Sequence, residues 1–227
     1  TIVGDLKRQD AERLANRITG RLAAGKPAPS LPAPESLKRS DRATVKHPSS
    51  QTHIWMGQLG VARGADDWFP LYVGNHILGG SGLVSRVAQE IREKRGLAYS
   101  ASSHFSPMEA RGPFILVLQT ANENADQAID VLHQTLEEFV TEGPSNDEVE
   151  RAIKNITGGF PLDIDSNSDI AGYISMIGFY GMPLDYLDRF IERVSAVTPD
   201  SIREAFQRRV DPDRLLVVTV GRTDGES

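Results

Sequence analysis

Alternation of apolar and polar residues predicts strands at both ends of the main body, and helical spacing predicts most of what lies between. Residues 43–46 and 52–61 read as strands. In the second, His53, Trp55, Gly57 and Leu59 share one face, while Ile54, Met56 and Gln58 share the other. Residues 97–105 and 113–120 read as an antiparallel pair with a turn near 108–112, and residues 214–220 as a closing strand. A helix is expected over 66–77, its start marked by Asp66 and Asp67, which suit the positive end of a helix dipole. Gly79-Gly-Ser-Gly82 is expected to break it before a second helix over 83–94. The stretch 123–141 carries Ala125, Ile129, Leu132, Leu136 and Phe139 at helical spacing, and helices are expected over 146–158, 168–180, 183–194 and 199–209. Strands and helices come in runs rather than in strict alternation. That order indicates an α+β, two-layer domain with an antiparallel-type sheet covered by helices on one face.

The first 41 residues read differently. Residues 1–5 form a short β-type run, and 9–22 an amphipathic helix with Ala11, Leu14, Ala15, Ile18 and Leu22 on one face. Then comes Lys26-Pro-Ala-Pro-Ser-Leu-Pro-Ala-Pro34, an extended connector, because proline fixes φ and cannot join a ladder. Val218-Thr-Val-Gly221 echoes Thr1-Ile-Val-Gly4. The expected division is therefore 1–25 as the closing strand and helix of a preceding, similar domain, 26–41 as a linker, and 42–227 as the main domain.

Composition narrows the function. With 39% hydrophobic and 25% charged residues the chain is of ordinary globular type, and no apolar run approaches the roughly 18 residues of a membrane span. There is no cysteine, hence no disulfide, thiolate nucleophile or Cys-bound metal, and such a chain suits cytosol and periplasm equally. Residues 1–46 carry 10 Lys/Arg against 5 Asp/Glu, whereas residues 47–227 carry 15 against 26. A nucleic-acid partner needs a basic stripe on the folded body, and this body is acidic.

None of the five histidines, His47, His53, His76, His104 and His133, shares the i, i+3 or i, i+4 spacing that brings two imidazoles to one ion. His133 reads as a residue at the boundary of a buried helix face. Gly79, Gly80, Ser81 and Gly82 precede a helix, but no Gly-Lys-Ser/Thr follows and the preceding element is a helix, so a phosphate loop is excluded. The run 86–100 is densest in polar groups. Arg92 falls in the last turns of a helix, Gly96 suits the position just past its end, and Tyr99 opens a strand. A guanidinium and a phenol brought together there could grip a polarised carbonyl oxygen, while the plain alternative is a solvated basic helix end.

Leu78-Gly-Gly-Ser-Gly-Leu-Val-Ser-Arg-Val87, followed by Ile91-Arg-Glu-Lys-Arg-Gly-Leu-Ala-Tyr99, closely resembles the pitrilysin/insulinase family of zinc peptidases, mitochondrial processing peptidase among them. The resemblance implies a LuxS/MPP-like fold and the non-catalytic half of a clamshell. In that half an Arg and a Tyr separated by six residues, here Arg92 and Tyr99, bind and polarise the substrate peptide, with Gly79–Gly82 as a substrate loop. The His-x-x-Glu-His motif of the active half is absent; the comparable helix reads Tyr72-Val-Gly-Asn-His76. The resemblance therefore implies no metal or cofactor in this chain, zinc on a homologous partner half or subunit, and a peptide substrate. A scaffold that binds partners without hydrolysis is the other reading.

Overall fold

In the computed structural model, which describes residues 1–30 and 32–221, the period-two patterns become the centre of one sheet. Strand β2 (Gln51–Leu59) buries Thr52, Ile54 and Met56 and leaves Trp55 exposed. Strand β4 (Pro113–Ala121) buries Phe114, Leu116, Leu118 and Thr120. The antiparallel register sets Ile54 opposite Leu118 and Met56 opposite Leu116, so both apolar faces point the same way. With β1 (Asp41–Lys46), β3 (Ala98–Phe105) and β5 (Leu216–Gly221) the sheet order is β1-β5-β2-β4-β3. Every neighbouring pair is antiparallel except β1 and β5. The α+β expectation is met, with β1 and β3 at the edges.

Helices cover the apolar face. Helix α4 (Ala125–Glu142) buries Ala128, Val131, Leu132, Leu136, Phe139 and Val140. Its inner stripe is turned from the expected one, since Ala125 and Ile129 are only half-buried against the core edge. Helix α8 (Pro199–Arg209) starts with a Thr198–Ser201 capping box and Pro199 in its first turn, both strong start signals. It supplies Phe206, whose ring stands edge-on to Phe105, Phe114 and Phe139 at 5.8, 6.4 and 4.8 Å. Asp67, buried just before α2 (Trp68–Asn75), accepts both arms of Arg209 at 2.7 and 3.1 Å and ties α8 to the start of α2. Gly74 of α2 touches Phe206 so closely that a Cβ there would lie 2.5 Å from the ring. Helices α5 (Asn146–Gly159), α6 (Asn167–Phe179) and α7 (Phe190–Ser195) complete the layer.

Three expectations fail locally. Residues 1–5 form no strand: none of the described residues pairs with them, and a strand exists only as part of a ladder. The helix expected over 183–194 is confined to α7, because Gly181 turns left-handed at φ 60° and Pro183 follows, so the chain reaches α7 through turns. Gly79 and Gly80 do not break the first helix. They belong to a π-helical turn, His76–Gly80, that extends α2. A Cβ on Gly79 would lie 2.4 Å from the Ser103 backbone nitrogen, so glycine there lets the helix end lie directly on β3. The reversal comes at Gly82, φ 64°.

Helix α1 (Arg8–Thr19) buries no residue. Leu14 is half-buried, and Ile18 and Leu22 of its apolar face are exposed. The connector is not free along its whole length, since Ser36 Oγ accepts from Arg111 at 2.6 Å and Ser40 Oγ bridges Asp213 O and Leu215 N.

Candidate functional site

Ser85 restarts the helix after the reversal at Gly82. Its buried hydroxyl donates to Gly82 O at 2.7 Å and accepts from Ala88 N at 3.3 Å. Helix α3 (Arg86–Ala88) then widens into a second π-turn, Gln89–Glu93, which buries Ile91 and leaves Arg92 half-buried. Gly96, at φ 62°, closes it. Its N–H donates to Arg92 O at 3.1 Å and that of Leu97 to Ile91 O at 2.8 Å, the pattern of a glycine cap widened by one residue by the π-turn. Thr120 Oγ1 donates to Leu97 O at 2.5 Å, fixing the turn to β4. The chain enters β3 at once.

Strand β3 begins with a bulge: Ala98 pairs with Thr120 but Ala101 with Leu118, so three steps on β3 match two on β4. Tyr99 and Ser100, inside the bulge, both face solvent, and Tyr99 is 81% exposed. The Arg92 guanidinium carbon lies 4.7 Å from the centre of the Tyr99 ring. The two groups expected to meet do meet, as a cation–π pair that leaves the guanidinium N–H donors without any protein acceptor among the described residues. The neighbouring cations are spoken for. Glu90 holds both Lys94 and Arg95, and although burial raises its pKa those two partners prevail and hold it below the usual carboxylate range. Arg92 therefore stands apart from the solvated helix end around it.

One turn earlier a cavity of about 610 Å³ opens between the end of α2 and α5, lined by His76, Ser81, Arg86, Glu148, Arg151 and Asn155. Across it Arg86 makes a two-pronged ion pair with Glu148 at 2.7 and 2.8 Å, its Nη2 also donating to Gly143 O. The guanidinium rests on the Phe139 ring at 5.0 Å. Glu148 also closes the capping box that starts α5 with Ser145. The Arg86 hydrogen bond, outweighing burial and helped by Ser145, holds the Glu148 pKa at about 2. The His76 pKa is held below the usual imidazole value by burial, against the opposite pull of Asn155 beside it. No group of three His, Cys, Asp or Glu among the described residues could hold a metal ion. His133 Nε2–H donates to Pro212 O, 3.0 Å away, at the edge of the buried face of α4.

The glycine run divides between these surroundings. Gly79 is buried against Ser103, Gly80 lies against Asn75, Ser81 lines the cavity, and Gly82 is exposed in the reversal. The Arg86–Glu148 pair was not legible in the sequence, because its partners lie on separate helices and no local pattern links them.

Residues 1–156 match the peptidase M16 inactive domain family. The chain belongs to the M16 inactive-domain family. An uncharacterised zinc protease of Streptomyces coelicolor is 29% identical over 182 residues, covering 78% of this chain but 39% of that protein. A Helicobacter pylori protein named a non-peptidase homologue is 24% identical over 222 residues, 96% of this chain and 50% of its own. Among solved structures, a peptidase M16 inactive domain from Pseudomonas fluorescens superposes with a TM-score of 0.90 at 34% identity, over 99% of this chain and 53% of that one. The M16 inactive domain seen here thus spans about half or less of the proteins it resembles. No helix among its described residues is long and apolar enough to cross a membrane.

Proposed function

We propose that this domain serves as the non-catalytic half of a zinc-dependent endopeptidase, closing over a peptide whose hydrolysis is carried out by zinc on a homologous partner half. Arg92 and Tyr99 would bind the peptide backbone and polarise the carbonyl to be cleaved, with Ser81 and Gly82 of the glycine segment as the lip of the substrate path. The single observation that carries this reading is the contact of exposed Tyr99 with half-buried Arg92, which meets no acid among the described residues although two neighbouring cations are both neutralised. An arginine kept free of acids retains its fork of donors for an outside acceptor, and the bulge turns the Tyr99 hydroxyl outward to join it. Donors held in place before charge develops on a carbonyl oxygen need no reorganisation during reaction, which is why such groups accelerate acyl transfer. When zinc is bound on the partner half it supplies Lewis-acid activation of water; this chain's share is to bind, orient and hold the oxygen. The same reading makes residues 1–25 the tail of a preceding homologous domain, which accounts for the uncovered apolar face of α1.

The test is peptide turnover by the complex of this domain with a zinc-bearing half. Arg92→Ala and Tyr99→Phe are each expected to lower kcat/KM about 100-fold, the usual size of losing one oxyanion donor, with Tm and pairing nearly unchanged. Arg92→Lys should stay impaired, since it keeps charge but loses the planar fork. Full turnover by both Arg92→Ala and Tyr99→Phe in a verified complex would refute the assignment. A second reading, a scaffold that binds partners without hydrolysis, is favoured by the Helicobacter relative's name. It predicts no turnover by any complex and peptide binding that still depends on Arg92.

A further inference from the structure

At the far end of the β3–β4 hairpin from Tyr99, four arginines that the proposed function does not use line a single cavity of about 420 Å³. The turn at 106–112 lies about 20 Å along the strand from Tyr99, at roughly 3.3 Å per residue. Arg111 comes from that turn, Arg208 and Arg209 from the last turn of α8, and Arg214 from the loop before β5. Cations suit the negative end of a helix dipole, which accounts for the pair on α8 but not for Arg111 or Arg214. The frame of the cavity is fixed: Gln58 accepts from Asp211 N and donates to Asp211 O, both at 3.1 Å. Two carboxylates serve the four arginines. Asp211, which lines the cavity, pairs with Arg214 at 3.0 Å. Buried Asp67, outside the lining, accepts both arms of Arg209 and leaves Arg208 a contact of 3.4 Å at an oxygen already in use. Arg111 meets no acid among the described residues; it donates to Ser36 Oγ at 2.6 Å. Ser36 and Leu37, both from the connector, form part of the wall.

Four guanidiniums against the carboxylates of Asp67 and Asp211 leave an excess of positive charge at one opening, in a chain of net charge −6. We propose that this cavity binds a phosphate group, free or esterified to a small molecule, and that the bound phosphate ties the connector to the main domain. A tetrahedral phosphate turns its oxygens toward forks that arrive from three separate elements, whereas one fork already fills a planar carboxylate. Its second charge near neutral pH matches the excess that Asp67 and Asp211 leave. Half-buried Leu37 and Leu59 offer an apolar wall to the carbon part of an ester. The surrounding acidic body repels a long polyanion, so the ligand is small. Because Arg111 already reaches the connector at Ser36, a phosphate shared between Arg111 and Arg208 holds that segment against the end of α8. The inference is independent of the peptide-binding role given to Arg92 and Tyr99.

The test is calorimetric titration of the full chain, near neutral pH and at constant ionic strength, with inorganic phosphate, glycerol 3-phosphate and acetate. Saturable binding is expected for a phosphate, at least about ten-fold weaker for acetate, the scale of one lost charge-assisted pair. Tighter binding of glycerol 3-phosphate supports an ester as ligand, and tighter binding of inorganic phosphate supports the free ion. Arg111→Gln and Arg208→Gln should each weaken binding by a similar factor. Neither touches the close Arg209–Asp67 pair that anchors α8; if Arg111→Gln fails to fold, Arg208→Gln carries the test. Trypsin cleavage at Lys38 and Arg39, next to the cavity wall, should slow when phosphate is bound and not in Arg208→Gln. No saturable response to either phosphate, a response to acetate as strong, or an unchanged titration in Arg208→Gln would each overturn the site. Binding that leaves cleavage at Lys38 and Arg39 as fast as before would overturn its hold on the connector.

Discussion

Arg86 and Arg92 lie on one helical segment, on either side of a change from α to π geometry, and the chain uses them in opposite ways. Arg86 is turned inward, gripped by Glu148, capped by a carbonyl and laid on Phe139. Arg92, also half-buried, rests on the Tyr99 ring and meets no acid among the described residues. The same side chain is a strut in one place and a free donor in the other. What decides between them is whether a carboxylate from another helix reaches in. Clusters of arginine in such a segment are therefore not uniform in role, and the one without an acid is where chemistry should be sought.

The sharpest way to break this contrast is to remove the strut. Glu148→Ala leaves a half-buried guanidinium unpaired and opens the α5 cap, and should cost about 3 kcal/mol in chemical denaturation. Peptide binding per folded molecule should not change; if binding falls while Tm holds, Arg86 is not structural. Acid titration probes the same pair without mutation. Because the Glu148 pKa is depressed to about 2, its contribution is complete above the ordinary glutamate value near 4.5 and drains away as pH falls toward 2. That loss is on the order of 2–3 kcal/mol, steepest between those values, and Glu148→Gln should flatten it. Gly79→Ala comes next, since its Cβ must displace the β3 backbone rather than a flexible side chain. We expect a loss of about 1–3 kcal/mol by thermal melting, as in other overpacked sites. Arg92→Ala sits at the small end, with a stability change below about 1 kcal/mol, the scale of an exposed cation–π pair. A larger drop in Tm would make Arg92 a second strut and dissolve the comparison.

Much of the framework could be read directly from the chain. Both central strands, 52–59 and 113–120, were legible as strands, and the alternation in the first sorted it into two faces; which face is buried follows from the register, because a sheet with one covered face permits only one. The helices expected over 146–158 and 199–209 form, and the structure starts them with the Ser145 and Thr198 capping boxes, local hydrogen bonds that need no tertiary partner. What escaped was set at a distance. The π-turn at 76–80 lays Gly79 on Ser103, and the inner stripe of α4 takes in Ala128 and Val131 in place of Ala125 and Ile129, both matters of what a distant element offers. The corner of Arg92, Gly96 and Tyr99 was legible because one tight turn contains it. The pairs Arg86–Glu148 and Arg63–Tyr180 were not, since each joins separate elements whose meeting only the fold determines.

The bulge that opens β3 has an effect beyond aiming Tyr99. This strand ends the sheet, and a regular outer strand with free N–H and C=O groups is a template on which any stray chain can polymerise. At Tyr99 and Ser100 the spacing of those groups is thrown off by one residue. Further along, Asn75 Nδ2 donates to Ser103 O at 3.1 Å and takes that acceptor out of reach. Irregularity at one end and a side-chain clamp further in leave β3 no uninterrupted row of backbone groups. The geometry that presents a tyrosine to solvent thus also makes this edge of the sheet a poorer template for a stray strand.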